Sequence, residues 1–458
     1  MIMFPPLSVR LLVVSAALGS VMGCSSLTTP PGLGMTSVGS GGSTQPTGGR
    51  NGASGSSGAT GGLLGNGGSA GYAGSGSGGS GIAGTGGDMA ATGGATVATG
   101  GSPSSGGANG NVGGAAGIGG AGPTPTGGTG APGVRIVGRT APGTMGRTRL
   151  EWSGSNISAR FMGTQVSAQL YDGNNGNSFE IVIDGGAPKQ IFTAAGQTAY
   201  ALATGLANAP HELLLWKDSE ASYGATEFGA FSDFGPGGAL LPPPPPPGRT
   251  IELVGDSFSC GAGILSATAC GSPIKIENHY LSYGAIAARA VRADLVTIAW
   301  SGIGVYRNFG ATTPTPKTVM PARYDFAIPT DETAWDFSRF QPDVVIMNLN
   351  NNDFSTGDPG QPYIDAYLKL TRHIRANYPN ATFIHVIEWK TGSTTDQGAA
   401  TVVNQMVSTL KGGSDPKHTV FDMRRYANTK QCGGHPDMAA SQAMGDALAA
   451  ELRTTMGW

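Results

Sequence analysis

The chain has 458 residues, only 12% of which are charged, and its formal net charge at pH 7 is −2. It has no basic patch and no basic residues interleaved with aromatic ones, so nothing in the sequence indicates nucleic-acid binding. Its four cysteines and six histidines show no Cys-x-x-Cys or His-x-x-x-His spacing. We therefore expect neither a metal ion nor another cofactor.

Residues 1–24 have the features of a lipoprotein-type signal peptide. Arg10 precedes an apolar run at 11–21 that is short for a transmembrane helix, and Cys24 ends a Val-Met-Gly-Cys sequence similar to a bacterial lipobox. Lipidation of Cys24 would tie the protein to a membrane. The alternative is a plain secretory signal with an incidental cysteine. Both interpretations predict export, as a cell-surface or periplasmic lipoprotein or as a secreted protein.

Two segments of biased composition divide the rest of the chain. Residues 25–133 are mainly Gly, Ser, Thr and Ala, which cannot bury enough apolar surface to offset chain entropy, so we expect a disordered linker. Six consecutive prolines predict a stiffer linker at 242–248. Two domains are therefore expected, at 134–241 and 249–458.

The two domains have different hydrophobic patterns. In the first, apolar residues alternate with polar ones, as at Ile157, Ala159 and Phe161, and turn-forming residues separate the runs. This pattern predicts an antiparallel β-sandwich of the jelly-roll type. In the second, apolar runs at 251–254, 295–299, 344–347, 383–387 and 419–421 predict buried strands, with helices at 280–291, 363–377, 399–410 and 438–452. Such alternation predicts a three-layer α/β/α domain with a parallel sheet and a ligand site at the carboxyl ends of its strands.

Several of these predicted strand ends carry chemically useful residues. Ser257 follows the first strand and precedes glycines, which makes it a candidate nucleophile, although Gly-Asp-Ser alone also forms ordinary turns. Gly302 follows the second strand and can bring a backbone N–H close to a substrate, while Asn352 follows the third and offers a side-chain amide. Taken singly, Gly302 and Asn352 are equally typical of turns.

A serine nucleophile needs a base, and six histidines compete for that role. His435 lies in a loop just before the last predicted helix, on the crevice side of the sheet, and is the best candidate. His279 is a weaker contender at a helix start. The other four lie within predicted strands or helices, where a structural role is expected.

The chain resembles the SGNH hydrolase superfamily at Gly255-Asp256-Ser257, Gly302, Asn352-Asp353 and His435. More narrowly, it resembles carbohydrate esterase family 2 at Gly138-Arg139-Thr140, at 277–289 and at 300–308. That family joins a jelly-roll domain to an SGNH domain and removes acetyl groups from plant polysaccharides. The resemblance implies that Ser257 attacks the acetyl carbonyl, that His435 takes its proton, and that Ser257 N–H, Gly302 N–H and the Asn352 amide bind the oxyanion.

Two positions depart from the superfamily pattern. Asn350 stands where glycine is usual, which would narrow the crevice. Cys432 stands where many members have the aspartate that orients the histidine. The resemblance to family 2 implies a Ser–His dyad in which a backbone carbonyl, of Gly433 or Gly434, holds the imidazole. Asp437 is expected to cap the last helix.

The cysteines leave two disulfide pairings open. With Cys24 lipidated, three cysteines remain in an oxidising compartment, which permits one disulfide. Cys260 with Cys270 would close a short loop beside Ser257, and Cys260 with Cys432 is the competing pair.

We therefore expect an exported esterase that removes acetyl groups from a polysaccharide of the xylan or mannan type, with Trp300 and Tyr306 available to stack on sugar rings. One alternative is a GDSL esterase acting on lipids or small esters. The other is a carbohydrate-binding protein with weak or no catalysis.

Overall fold

The computed structural model describes residues 133–173, 176–266, 273–388, 395–426 and 432–458. The predicted signal peptide with Cys24, the glycine-rich segment 25–132 and Cys270 lie outside the described residues. No helix within these ranges is both long enough and apolar enough to cross a membrane.

The first domain consists of two packed antiparallel sheets, as the alternating pattern predicts. One sheet has the order β1-β4-β9-β6-β7 with β11 paired to β4, and the other has the order β2-β3-β10-β5-β8. The strands are β1 (Val134–Val137), β2 (Thr140–Pro142), β3 (Thr148–Leu150), β4 (Asn156–Gly163), β5 (Val166–Asp172), β6 (Ser178–Ile183), β7 (Lys189–Phe192), β8 (Ala199–Ala203), β9 (Ala209–Lys217), β10 (Thr226–Ser232) and β11 (Ala239–Leu241). The β4 side chains Ile157, Ala159 and Phe161 are fully buried in the core between the sheets.

The second domain has a five-stranded parallel sheet in the order β13-β12-β16-β17-β18, with a separate hairpin, β14 and β15. Its strands are β12 (Thr250–Gly255), β13 (Asp294–Ala299), β14 (Phe326–Ile328), β15 (Thr333–Ala334), β16 (Val344–Asn348), β17 (Thr382–Ile387) and β18 (His418–Asp422). Its helices are α1 (Ser257–Cys260), α2 (Pro273–Ile276), α3 (Tyr283–Ala290), α4 (Gln361–Asn377), α5 (Thr395–Gly412) and α6 (Met438–Met456). β13 lies on one side of β12, and the later strands β16, β17 and β18 are added on its other side. Such a switch in strand order places the ligand crevice at the carboxyl ends of the strands there.

Helices cover both faces of the parallel sheet, which confirms the three-layer prediction. Leu253 and Ile346 pack with Leu448 of α6 on one face. Val254 and Met347 belong to the core on the other face, which also holds residues of α4 and α5. Each strand alternates between the two cores because it is buried on both sides.

The two domains share buried polar contacts. Arg139, between β1 and β2, is fully buried, and its guanidinium donates to the Glu252 carboxylate of β12 at 3.0 Å and to the Tyr324 carbonyl oxygen. Tyr378 also donates its hydroxyl to Glu252, at 2.9 Å. At the rim of this interface Arg135 pairs with Asp294 at 2.8 Å. The sandwich domain therefore forms direct contacts with β12, the first strand of the parallel sheet along the chain.

Candidate active site

Ser257 lies where β12 ends and a short helix begins. Asp256 caps this helix α1, its Oδ1 accepting the Phe258 N–H at 3.2 Å. The turn requires Gly255, because a Cβ at that position would come within 2.1 Å of the Ser259 hydroxyl. Ser257 itself is 7% exposed, so the surroundings restrict access to its side chain.

His435 lies against this turn. Its imidazole packs on Phe258, the residue after Ser257, with ring centroids 5.6 Å apart. A Cβ added at Gly263, just beyond α1, would be 3.3 Å from the His435 side chain. Asp437 caps α6 as predicted, its side chain accepting the Ala440 N–H at 2.8 Å. The fold thus places the predicted base against the helix that begins at the predicted nucleophile.

A backbone carbonyl holds the imidazole, but not one of the two that we expected. The His435 Nδ1 lies 2.9 Å from the Cys432 carbonyl oxygen, so the prediction of Gly433 or Gly434 is wrong. Gly433 adopts a left-handed conformation with φ of 66°, which turns the chain so that the carbonyl three residues before His435 faces the ring. Since a carbonyl oxygen only accepts, Nδ1 carries the hydrogen, and Nε2 of the neutral ring has a free lone pair.

Burial lowers the pKa of His435 below its usual 6.5, and this effect is partly offset by the Cys432 carbonyl and by the negative charge of Glu220. The imidazole is therefore neutral at pH 7. A neutral imidazole with its Nε2 unprotonated can accept a proton from a hydroxyl.

Gly302 and Asn352 lie at the carboxyl ends of the neighbouring strands. Gly302, after β13, has φ of 75°, a conformation that favours glycine, and within the described residues no protein acceptor takes its N–H. The Asn352 Nδ2 donates to Asp256 Oδ2 at 3.0 Å and to the Ile303 carbonyl at 2.8 Å. Asn352 thus ties the ends of β12 and β13 together, and an oxyanion would have to share or replace one of these acceptors.

Asn350 and Asp353, close to Asn352 in the sequence, hydrogen-bond to backbone groups of neighbouring segments. Asn350 donates to the Val386 carbonyl at 2.7 Å and accepts the Glu388 N–H at 3.2 Å, so it bridges to the end of β17. Asp353 accepts three backbone N–H groups from the loop after β13, at 2.8 to 2.9 Å.

A carboxyl group that was not predicted from the sequence lies beside Asp256, the residue before the nucleophile. Glu388, directly after β17, is buried and shares a side-chain hydrogen bond with Asp256. Burial raises the pKa of Asp256 to about 7. Two carboxyl groups can share a hydrogen bond only when one of them is protonated. Because Glu388 directly follows a predicted strand, the sequence could have indicated it as a candidate site residue.

Two family models cover most of the described chain. The model "Carbohydrate esterase 2 N-terminal" matches residues 136–244, and "GDSL-like Lipase/Acylhydrolase family" matches 253–443. A solved family two carbohydrate esterase from Clostridium thermocellum, in complex with cellohexaose, is 34% identical with a TM-score of 0.67, over 71% of this chain and all of that one. The chain belongs to carbohydrate esterase family 2.

Two curated relatives of this family 2 member differ in how much of their length they share with it. Cellulase/esterase CelE from Acetivibrio thermocellus is 35% identical over 335 residues, which are 71% of this chain but only 40% of CelE. An acetylxylan esterase / glucomannan deacetylase from Cellvibrio japonicus is 25% identical over 336 residues, which are 71% of this chain and 90% of the relative.

The two aromatic residues expected to stack on sugar rings, Trp300 and Tyr306, are both partly exposed in this family 2 member. Trp300 is packed against protein, with the Arg323 guanidinium 3.9 Å from its ring centroid and Trp152 edge-on at 6.5 Å. Tyr306 is half-buried in the core. Phe309, which the sequence analysis did not single out, is 71% exposed and donates its N–H to the Gly302 carbonyl at 2.9 Å. Phe309 is therefore the most exposed of the three aromatic side chains in this loop.

The structure corrects both predicted disulfides, since each of them used Cys260. Cys260 is a free, buried thiol in α1, whereas Cys432 is disulfide-bonded. The two remaining cysteines, Cys24 and Cys270, lie outside the described residues. Cys260 faces the protein interior because α1 is buried along its whole length.

The weaker candidate base, His279, has a structural role. It is fully buried, its Nδ1 accepts the Trp216 indole N–H at 3.0 Å, and its Nε2 lies 3.0 Å from the Thr297 hydroxyl. Burial lowers its pKa to about 3. No group of three or more His, Cys, Asp or Glu residues in the described part of the chain is arranged to hold a metal ion.

Proposed function

We propose that this protein removes O-acetyl groups from polysaccharide through a Ser257–His435 dyad. The Ser257 Oγ attacks the acetyl carbonyl while His435 Nε2 takes its proton. The oxyanion that forms is bound by the N–H groups of Ser257 and Gly302 and by the Asn352 amide. Collapse expels the sugar oxygen, which receives the proton from His435. Water then hydrolyses the acetyl-serine by the same steps, with His435 again taking and returning the proton.

The observation that carries this proposal is the hydrogen bond from His435 Nδ1 to the Cys432 carbonyl. It leaves Nε2 unprotonated in the ring that packs beside the Ser257 turn. In many serine hydrolases an aspartate fixes the same tautomer. A carbonyl can do so as well, although it brings no full negative charge to the imidazolium.

A polysaccharide is favoured over a lipid because of what surrounds the site. The exposed Phe309 ring lies next to the Gly302 loop and offers a flat apolar face, the kind of surface on which sugar rings stack. The relatives are named for acetylxylan and glucomannan, and one solved relative holds cellohexaose. We infer the same class of substrate, of the xylan or mannan type, and we infer export with a lipid anchor at Cys24.

The test is acetate release from acetylated xylan, acetylated glucomannan and a small acetyl ester. Wild-type protein should release acetate from at least one polysaccharide, and Ser257→Ala should release none. Phe309→Ala should raise KM for the polysaccharide and leave KM for the small ester nearly unchanged. A wild-type protein that binds these polysaccharides without releasing acetate would establish the carbohydrate-binding alternative instead.

A further inference from the structure

Glu220 of the sandwich domain reaches into the second domain next to the active site. It follows β9 and is only 6% exposed. Its Oε2 accepts the Ser301 N–H at 2.6 Å, and its Oε1 accepts the Ser222 hydroxyl at 2.6 Å. The Cys260 thiol, in the same short helix as Ser257, also hydrogen-bonds to Glu220. One carboxyl group therefore touches both the nucleophile helix and the loop after β13.

The contact with Ser301 holds the Trp300–Ser301 peptide, which directly precedes the peptide that carries the Gly302 N–H. Ser301 directly precedes Gly302, whose carbonyl accepts the Phe309 N–H at 2.9 Å. The loop is thus fixed on both sides of the Gly302 N–H, by Glu220 and by Phe309. A donor that is already held in place needs no reorganisation when charge develops on the substrate.

Three titratable groups beside Glu220, an acid, a tyrosine and a cysteine, have their pKa values raised by burial. The Glu220 N–H donates to Glu277 Oε1 at 2.6 Å, and burial raises the pKa of Glu277 well above its usual range, so that Glu277 is protonated. Burial likewise raises the pKa of the Tyr223 hydroxyl to a value outside the physiological range and keeps the Cys260 thiol protonated. Lys217 is the nearby cation, with its pKa lowered by burial to about 8.

We propose that Glu220 is a positioning residue for the esterase reaction, supplied by the sandwich domain. Its hydrogen bond to the Ser301 N–H holds the loop just before the Gly302 N–H for oxyanion binding, and its negative charge stabilises the His435 imidazolium that forms when Ser257 loses its proton. The loop before His435 has Cys432 in place of an aspartate, so the charge reaches the crevice from the neighbouring domain. This inference rests on the proposed Ser257–His435 mechanism.

The test compares Glu220→Gln with wild type in the hydrolysis of a small acetyl ester across a range of pH. Gln keeps the size of the side chain and removes its charge. We expect kcat to fall on the order of tenfold with little change in KM. Because the Glu220 charge raises the pKa of His435, the acid limb of the kcat/KM profile should also move to lower pH. Glu212→Gln, an exposed change in the same domain, is the matched control and should alter neither quantity.

Glu220→Asp is the second variant, and it keeps the test valid if Glu220→Gln does not fold. It retains the charge but draws it back by one methylene, so kcat should fall while the acid limb stays close to that of wild type. Folded Glu220→Gln with wild-type kcat and an unmoved acid limb would overturn the inference, and so would wild-type kcat in Glu220→Asp. Ser257→Ala and His435→Ala in the same assay report separately on the dyad.

Discussion

Arg139 and Glu252 form a fully buried ion pair, 3.0 Å apart, that joins the sandwich domain to the first strand of the catalytic sheet. Removing one partner of a buried pair leaves an uncompensated charge, which typically costs about 3–5 kcal/mol. Arg139→Met should therefore lower the free energy of unfolding by about that amount, measured by urea denaturation.

The partly exposed pair of Arg135 with Asp294 provides a matched comparison at the same interface. Because water screens this pair, Arg135→Met should cost on the order of 1 kcal/mol or less. Equal losses in the free energy of unfolding in the two variants would show that burial does not raise the cost of breaking the Arg139 pair.

Ser257→Ala and His435→Ala should each abolish nearly all turnover, and the double variant should be little worse than either one. The two residues act as a unit, so their effects are not additive. Steady-state hydrolysis of a small acetyl ester measures this, with circular dichroism to confirm folding. Substantial activity in either single variant would remove that residue from the mechanism.

Asn352→Ala should lower kcat by on the order of 10²-fold while KM changes little, since the amide acts on the oxyanion and not on bound substrate. The variant also loses the bonds to Asp256 and Ile303, so its thermal stability must be measured in parallel. Asn350→Ala breaks the bridge to β17 and should reduce stability more than kcat. An unchanged kcat in folded Asn352→Ala would leave Asn352 with a structural role only.

Residues at the strand ends could be predicted from the sequence because a parallel sheet gathers its carboxyl ends at one edge. Ser257, Gly302 and Asn352 each follow an apolar run, and His435 precedes a clear helix. Glu220 could not be predicted, because its role depends on how a second domain packs. The Cys432 carbonyl was missed because it faces His435 through a turn in which Gly433 and Gly434 both have positive φ.

The buried acids predict a pH dependence of stability. Burial raises the pKa of Glu277, so folding favours its protonated form, and the stability from this group is present at low pH and lost as pH rises through the raised pKa. The free energy of unfolding should therefore fall as pH rises above the usual glutamate pKa of about 4.3. Glu277→Gln stays neutral and keeps an oxygen for the Glu220 N–H, so its decline should be shallower. Identical slopes would mean that Glu277 does not titrate in this range.

The acyl-chain dependence of kcat/KM tests the central claim most directly, because an acetyl esterase needs a small acyl pocket whereas a lipid esterase needs a long one. Each added methylene offers about 0.8 kcal/mol of burial to an enzyme able to use it. We predict that kcat/KM on p-nitrophenyl esters falls steeply from acetyl to butyryl and is near background for octanoyl, with Ser257→Ala inactive on all of them. A preference for octanoyl over acetyl would contradict the account and favour a lipid esterase.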